Sequence, residues 1–474
     1  MPLTAIINGR VLTMNQERNL IEQGTILVED DRIVAVGPSS SLEVSPGTEV
    51  IDATGMAVLP GFINAHTHVS QILQRGGPSH DRDLYDWLFN VLYPGLAAYT
   101  PEDARAAAYL FCAEAVRSGT TTIVDNEDAG QYEAIAHATL KSFQQIGIRA
   151  VYARMFFDAP RESMSDYLNS VMAKEPAVKH VNNIETTEQA LTAIEQLIRQ
   201  FHGTENGRIS VWPAPSIPLV VSDKGLQQSQ QIAKSNGTMW TLHLAECAIE
   251  NQITWPSPTE YLYNHGLLDE RLLAAHCIYM NERDLRLLRQ HQVKVSTQVA
   301  SNAYLGSGIA PVPDMITSGI TVGMGTDDAN CNDSVNLLND MKLLSHIHRA
   351  HTRDAAVLTP EKILELATID GARAIGMERE IGSLEVGKKA DIILIDLNHP
   401  QMIPCHNLPA ALVFQSYGNE VNTVMVDGKV LMRYRELSFL PSEHEFTFYQ
   451  ETTKRSLAML ERAGIKSSRE WKSA

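Results

Sequence analysis

Apolar and β-branched residues recur in short runs through the middle of the chain, and stretches of helical period separate most of them. Eight runs have strand character: Val58 to Ala65, Thr120 to Asn126, Arg149 to Phe156, Ile209 to Ala214, Met239 to Ala245, Leu272 to His276, Val293 to Gln298 and Thr321 to Asp327. Pro101 to Arg117, Glu133 to Ile146, Thr187 to Phe201 and Glu282 to Gln290 read as helices between them, and Glu361 to Ile375 follows the last strand. Thr100-Pro101 and Thr359-Pro360 are start signals, since a threonine oxygen caps orphan N–H groups and proline lacks only an N–H the first turn leaves unused. This alternation predicts an α/β fold, a (β/α)₈ barrel over residues 58–380. No Gly-rich fingerprint follows the first strand, which argues against an open dinucleotide-binding sheet.

The two ends resemble each other instead. Ala5 to Met14 reads as a strand pair turning at Asn8-Gly9, and Thr25 to Val36 repeats the pattern about Asp30-Asp31. Asp391 to Leu397 is a further strand, and Val421 to Met432 a hairpin about Asp427-Gly428. Residues 1–57 and 381–436 therefore predict one small β-sandwich domain built from both termini, followed by a helical tail at 437–474. The stretch from Phe157 to Thr187 is polar and reads as an irregular insertion.

The candidate chemistry falls at the ends of the proposed strands. In an extended segment residues i and i+2 share a face, so His66 and His68 offer two imidazoles in one direction. His243 and Glu246 end the fifth strand, His276 the sixth and Asp327 the eighth. Barrel active sites form where such ends converge. Each residue taken alone has a plainer role: paired surface histidines, a core histidine at His276, a helix-capping acid at Asp327. Their coincidence at four strand ends favours a metal-dependent hydrolase. Gln71, Trp87 and Phe157 are candidate pocket walls, and Cys331 is an alternative nucleophile.

Composition narrows the class. The chain of 474 residues carries a net charge of −17 with no basic block, so neither nucleic acid nor an anionic membrane is an expected partner. No apolar run is long enough to span a bilayer, and the start lacks a secretory pattern. Five cysteines form no close pairs, which fits reduced thiols and a cytoplasmic location. Gly382 to Lys388 mimics a phosphate loop, but Lys389 stands where Ser or Thr is needed.

The stretch Pro60-Gly61-Phe62-Ile63-Asn64-Ala65-His66-Thr67-His68 resembles the opening motif of the amidohydrolase superfamily, and Gly382 to Asp391 resembles its return into the β domain. Gly76-Gly77-Pro78-Ser79-His80, Tyr85 to Asn90 and Ser301 to Gly308 are similar to the triazine hydrolase branch, and the likeness covers nearly the whole chain. It implies one divalent ion, Fe²⁺ or Zn²⁺, on His66, His68, His243 and Asp327, with Glu246, His276 and Asp327 catalytic. Two-metal relatives carry a lysine at the end of the fourth strand, where this chain has Pro215. It further implies Asp328, Cys331, Gln71, Leu84, Trp87, Asn126, Phe157 and Asn302 around a small heteroaromatic substrate, and a homo-oligomer, dimer or hexamer. Asp328 and Cys331 match the aminohydrolases of that branch, as do Leu84, Leu92, Ile217 and Trp255. Asp125 and Ile253 match its dehalogenases, and Leu219 matches neither. The expected reaction is deamination of a melamine-like amino-s-triazine. The alternatives are dechlorination of an atrazine-like chloro-s-triazine, deamination of guanine or cytosine, and a non-catalytic relative, which loss of ligands would mark.

Overall fold

Gly61 divides what the hydrophobic pattern presents as a single strand. Met56–Pro60 joins the sheet made by the chain ends, and Phe62–His68 opens the barrel. A Cβ at position 61 would lie 2.1 Å from Thr121 Oγ1, so only glycine lets the backbone pass here. The computed structural model describes residues 3–76, 81–127, 133–159, 162–176, 178–180, 184–254 and 256–465. Residues 77–80 of the branch-like motif, Trp255 and the tail beyond 465 lie outside the described residues.

Phe62–His68, Thr120–Glu127, Arg149–Phe156 and Ile209–Pro215 pair in parallel in chain order. Trp240–Leu244, Leu272–His276, Lys294–Thr297 and Val322–Met324 form a second parallel set. The sets meet where His243 N–H donates to the Ser216 carbonyl at 2.9 Å. They meet again where the two-residue strand Asp327–Asp328 pairs with Thr67 and His68. The ring is thereby closed, and helices cover its outside. Strands buried on both faces explain the continuous apolar runs.

The eighth strand is shorter than the pattern Thr321 to Asp327 because the chain turns in at Gly325. A Cβ there would lie 2.4 Å from the His66 carbonyl oxygen, so glycine permits the close crossing. Asn64 and Thr326 clasp the same crossing, with Asn64 Nδ2 donating to Thr326 Oγ1 at 2.7 Å and Thr326 N–H to Asn64 Oδ1 at 3.1 Å.

The chain ends build one continuous nine-stranded sheet around its own apolar cluster, which includes Ile6, Ile26, Ile33, Val58, Ile392 and Leu394. The hairpins at Asp30-Asp31 and Asp427-Gly428 form as expected, between Leu20–Glu29 and Arg32–Pro38 and between Val421–Val426 and Lys429–Arg433. Asn8-Gly9 is not a turn. Leu3–Leu12 runs through it, and the pairing register shifts between Ile6 and Gly9, so the freedom of Asn8 (φ 65°) serves a bulge. The helix expected over Glu361 to Ile375 is two, Pro360–Leu366 and Ile369–Ala374, broken at Thr368 (φ −129°, ψ −99°). The supposedly irregular insertion contains the helix Glu162–Met172, and the tail forms Ser442–Ala463. Among the described residues no helix is long and apolar enough to cross a membrane.

Arg149 fastens the sheet to the barrel. It is buried and donates to both oxygens of Asp391, at 2.8 and 2.9 Å, and to Asp427 Oδ1 at 3.3 Å. Burial alone would lower the Arg149 pKa, but the two carboxylates outweigh it and raise the value. Asp391→Ala is expected to cost about 3–5 kcal/mol, because it removes the bidentate partner of a buried guanidinium and leaves Asp427 alone to balance the charge. Denaturant unfolding of the variant measures this directly.

Candidate metal centre and active-site cavity

Strand alternation puts His66 and His68 on the inner face of Phe62–His68, and three other strand ends deliver the rest of the cluster. His66 Nε2 and His68 Nε2 lie 3.3 Å apart, as do His68 Nε2 and His243 Nε2. Asp327 Oδ1 is 3.3 Å from His66 Nε2 and 3.5 Å from His68 Nε2. His276 Nε2 stands to one side, 3.5 Å from Glu246 Oε2 and 3.9 Å from Asp327 Oδ2. All six side chains are buried. Ala245, His276 and Asp327 adopt positive φ (51°, 69° and 61°), so three strand ends bend sharply where the groups must converge.

A layer behind the cluster aims it. His243 Nδ1 faces the Ser216 carbonyl at 3.1 Å, His276 Nδ1 faces Asn302 Oδ1 at 2.9 Å, and the Asn126 amide is 2.9 Å from His66 Nδ1. A proton on Nδ1 of His243 leaves its Nε2 lone pair pointing inward, as a metal ligand requires. Thr67 Oγ1 donates to the Asp327 carbonyl at 2.8 Å, and Val69 N–H donates to Asp125 at 2.9 Å.

The cluster opens into a cavity of about 350 Å³. Of the residues expected around substrate, Gln71, Leu84, Trp87, Phe157 and Asp328 line it. Asn126, Asn302 and Cys331 do not: the first two stand behind His66 and His276, and Cys331 stands behind Asp328, its Sγ 3.6 Å from Asp328 Oδ2. Burial first, then the charges of Asp328 and Asp327, push the Cys331 thiol well up, which disfavours a thiolate nucleophile. Leu92 and Ile217 also line the cavity, as do Met164 and Leu168 of the insertion helix, which therefore walls the site.

The family model described as the amidohydrolase family matches residues 57–431. This chain belongs to the amidohydrolase family. It is 45% identical to the S-triazine hydrolase of Gordonia rubripertincta, over 99% of each chain. It is 33% identical to the 5-methylthioadenosine/S-adenosylhomocysteine deaminase of Syntrophomonas wolfei, over 94% of this chain and 98% of the relative. An adenosine deaminase from Xanthomonas campestris solved with bound zinc superposes with a TM-score of 0.85 at 25% identity, covering 96% of this chain and 98% of its own. The zinc complex of atrazine chlorohydrolase from Arthrobacter aurescens shares the fold, with a TM-score of 0.84 at 23% identity over 96% and 100% of the two chains.

The donor set of this amidohydrolase suits a divalent ion. Burial lowers the His66 pKa to about 4 despite the neighbouring Asp327, and burial followed by the other imidazoles lowers His243 well below its usual value. Burial also opposes the charge on Asp327, but the hydrogen bond from His66 and the fields of the imidazoles hold its pKa well below the usual carboxylate range. Neutral imidazoles and an ionised carboxylate are the states that bind a cation. His276 Nε2, buried and without a hydrogen-bond partner among the described residues, also faces the cavity.

Two carboxyl groups behave in the opposite way. Burial, then the charges of Asp327, Glu250 and Asp328, raises the Glu246 pKa well above its usual value. Glu250, which the sequence reading missed, accepts N–H donors from Ala245, Glu246 and Cys247 at 2.8–2.9 Å and so anchors the bend that carries Glu246. Its capping-box spacing after Cys247 was the available signal, obscured because cysteine is an unusual cap.

Burial raises the Glu250 pKa to about 7, in spite of the three donors. Between its ordinary value of 4.5 and that figure the unfolded chain has released the proton while the folded chain keeps it. The contribution of Glu250 to stability is therefore full below that window and is lost as pH rises through it. Glu250→Gln should remove this dependence, so stability relative to wild type should rise from pH 4.5 to above pH 7. Denaturation midpoints of both proteins across that range measure it.

Proposed function

We propose that this amidohydrolase is an aminohydrolase of amino-s-triazines such as melamine, replacing a ring amino group with hydroxyl and releasing ammonia. Its 45% identity to an S-triazine hydrolase supports triazine hydrolysis, and deaminase relatives support cleavage of a C–N bond. The observation that carries the amino preference is the Asp328 carboxylate, which lines the cavity 4.0 Å from His68 Nδ1. Ammonia leaves only when protonated. A carboxylate beside the exocyclic nitrogen can hold and relay that proton, whereas chloride needs none.

His66, His68, His243 and Asp327 would hold a single divalent ion, Fe²⁺ or Zn²⁺, and Pro215 offers no lysine for a second. When bound, such an ion supplies acidification of water toward neutral pH. Asp327, ionised, takes the proton that the attacking water loses. His276 Nδ1–H donates a hydrogen bond to Asn302 Oδ1, so its Nε2 lone pair orients the water. Glu246, kept protonated by burial, donates to the ring nitrogen beside the reacting carbon; the proton that Asp327 took from water passes by way of Asp328 to the leaving amine, and Glu246 recovers its own as the ring C=N bond reforms. Asn126, Asn302 and Cys331 act from behind, by orienting His66, His276 and Asp328.

The test is a panel of melamine, a chloro-s-triazine, guanine and cytosine, with ammonium and chloride both measured. Ammonium from melamine is expected, and chloride release without ammonium would sink the proposal. Asp328→Asn should lower ammonium release by about 10²-fold or more, the lower end of what a positioned proton-transfer group supplies. Combined with Cys331→Ser it should raise chloride release. Unchanged selectivity would remove Asp328 from the leaving-group role.

A further inference from the structure

The short helix Val69–Gln74, which leaves His68, turns Gln71 to the active-site cavity and Ile72 and Leu73 to a second cavity of about 620 Å³. The two cavities share no lining residue. Arg75, Arg117 and Arg435 line the second one, against one lining carboxylate, Glu114, among the described residues. In a chain of net charge −17 this is a local reversal of sign. Each guanidinium is held through Nη1 alone: Arg75 by Glu114, Arg117 by Glu445 and the Tyr449 hydroxyl, and Arg435 by the carbonyls of Gly418 and Val421 at 2.7 and 2.9 Å. Among the described residues the Nε and Nη2 atoms of all three have no acceptor, and none of them is sealed from solvent. The fork that Arg149 closes on Asp391 is thus left open three times at one cavity. The backbone also pays strain to deliver Arg435. Arg433 pairs with Glu436, so Tyr434-Arg435 is a two-residue hairpin turn, and both residues are left-handed (φ 50° and 67°) where Asn-Gly is usual. Burial, and then the charge of Arg117, lower the Arg435 pKa against the pull of Glu420, so these two cations are close enough to repel.

We infer that this second cavity binds a small organic oxyanion, a phosphate ester or a carboxylate, on the open guanidinium forks of Arg75, Arg117 and Arg435. A guanidinium presents parallel N–H donors whose spacing matches two oxygens of a phosphate or carboxylate. The anion also neutralises the surplus charge and relieves the repulsion between Arg117 and Arg435. The cavity is far larger than a bare phosphate and has apolar wall at Ile72, Leu73 and Leu110, so the anionic group is carried on an organic body. The site is separate from the hydrolytic one and does not rest on the proposed triazine substrate.

The experiment titrates Zn²⁺-loaded protein calorimetrically with inorganic phosphate and with succinate, each against sodium chloride of equal ionic strength. Saturable binding that chloride does not reproduce is expected. Binding of phosphate alone would assign a phosphate ester, of succinate alone a carboxylate, and of both the oxyanion chemistry they share. Binding of neither would overturn the inference. Arg435→Gln should weaken binding about tenfold or more, the loss expected for charge-assisted hydrogen bonds. That variant also releases the Gly418 and Val421 carbonyls, so a second one adds charge instead. Asn419 lines the cavity and is exposed, and Asn419→Asp should weaken binding about fivefold with an unchanged Tm, the effect of one like charge about 4 Å away in water. Asp328→Asn, at the active site, should leave the affinity unchanged. An affinity that responds to Asp328→Asn and to neither cavity variant would place the anion at the metal centre and overturn the inference. Should Arg435→Gln fail to fold, unchanged affinity in Asn419→Asp overturns it alone.

Discussion

The charge on Asp327 is the interaction around which the site is organised. The inward Nε2 atoms of His66, His68 and His243 crowd one small buried space, and a lone carboxylate in that space would protonate. Facing each other at 3.3–3.5 Å, these imidazoles and the carboxylate enclose one small volume whose donor set suits a cation. The same residue closes the barrel, because the strand Asp327–Asp328 pairs directly with Thr67 and His68. Ring closure and site assembly are therefore one event, and the clasp between Asn64 and Thr326 serves both.

Burial acts on every ionisable group in this space, yet the outcomes diverge according to what each group faces. Asp327 faces imidazoles and stays ionised, Glu246 faces other carboxylates and keeps its proton, and Glu250 is held near the midpoint by backbone donors. A base and an acid thus coexist at one pH within one cavity. The protein obtains this without buried lysine or arginine among the residues lining the cavity, so a neutral ring enters without displacing an internal ion pair.

The barrel and the ligand set were legible in the sequence because they depend on period and position. Strands buried on both faces leave continuous apolar runs, and a His-x-His at a strand end has one structural meaning once other donors end other strands. What stayed hidden depends on contacts between distant segments. Gly61 parts one apolar run between two sheets because of Thr121, and Asn8-Gly9 makes a bulge because Leu3–Leu12 continues along Leu20–Glu29. The break at Thr368 and the helix within the insertion have no local signature of that kind. Glu250 acts through backbone N–H groups, which no side-chain motif records. Asn126, Asn302 and Cys331 were placed at the substrate and stand one layer back, since sequence likeness marks a neighbourhood without saying which side of a ligand a residue occupies.

The single residue between Met56–Pro60 and Phe62–His68 gives the end sheet a duty beyond enclosing its own apolar cluster. Pro60 is paired with Ile392 and Phe62 begins the inner strand, so the sheet acts as a phase lock on the strand that follows. Slippage by one position would send Ala65 and Thr67 inward and turn both imidazoles to the outer face. The outermost segments of the chain, remote from the chemistry and drawn from opposite ends, thus set the angular phase on which the central cluster depends.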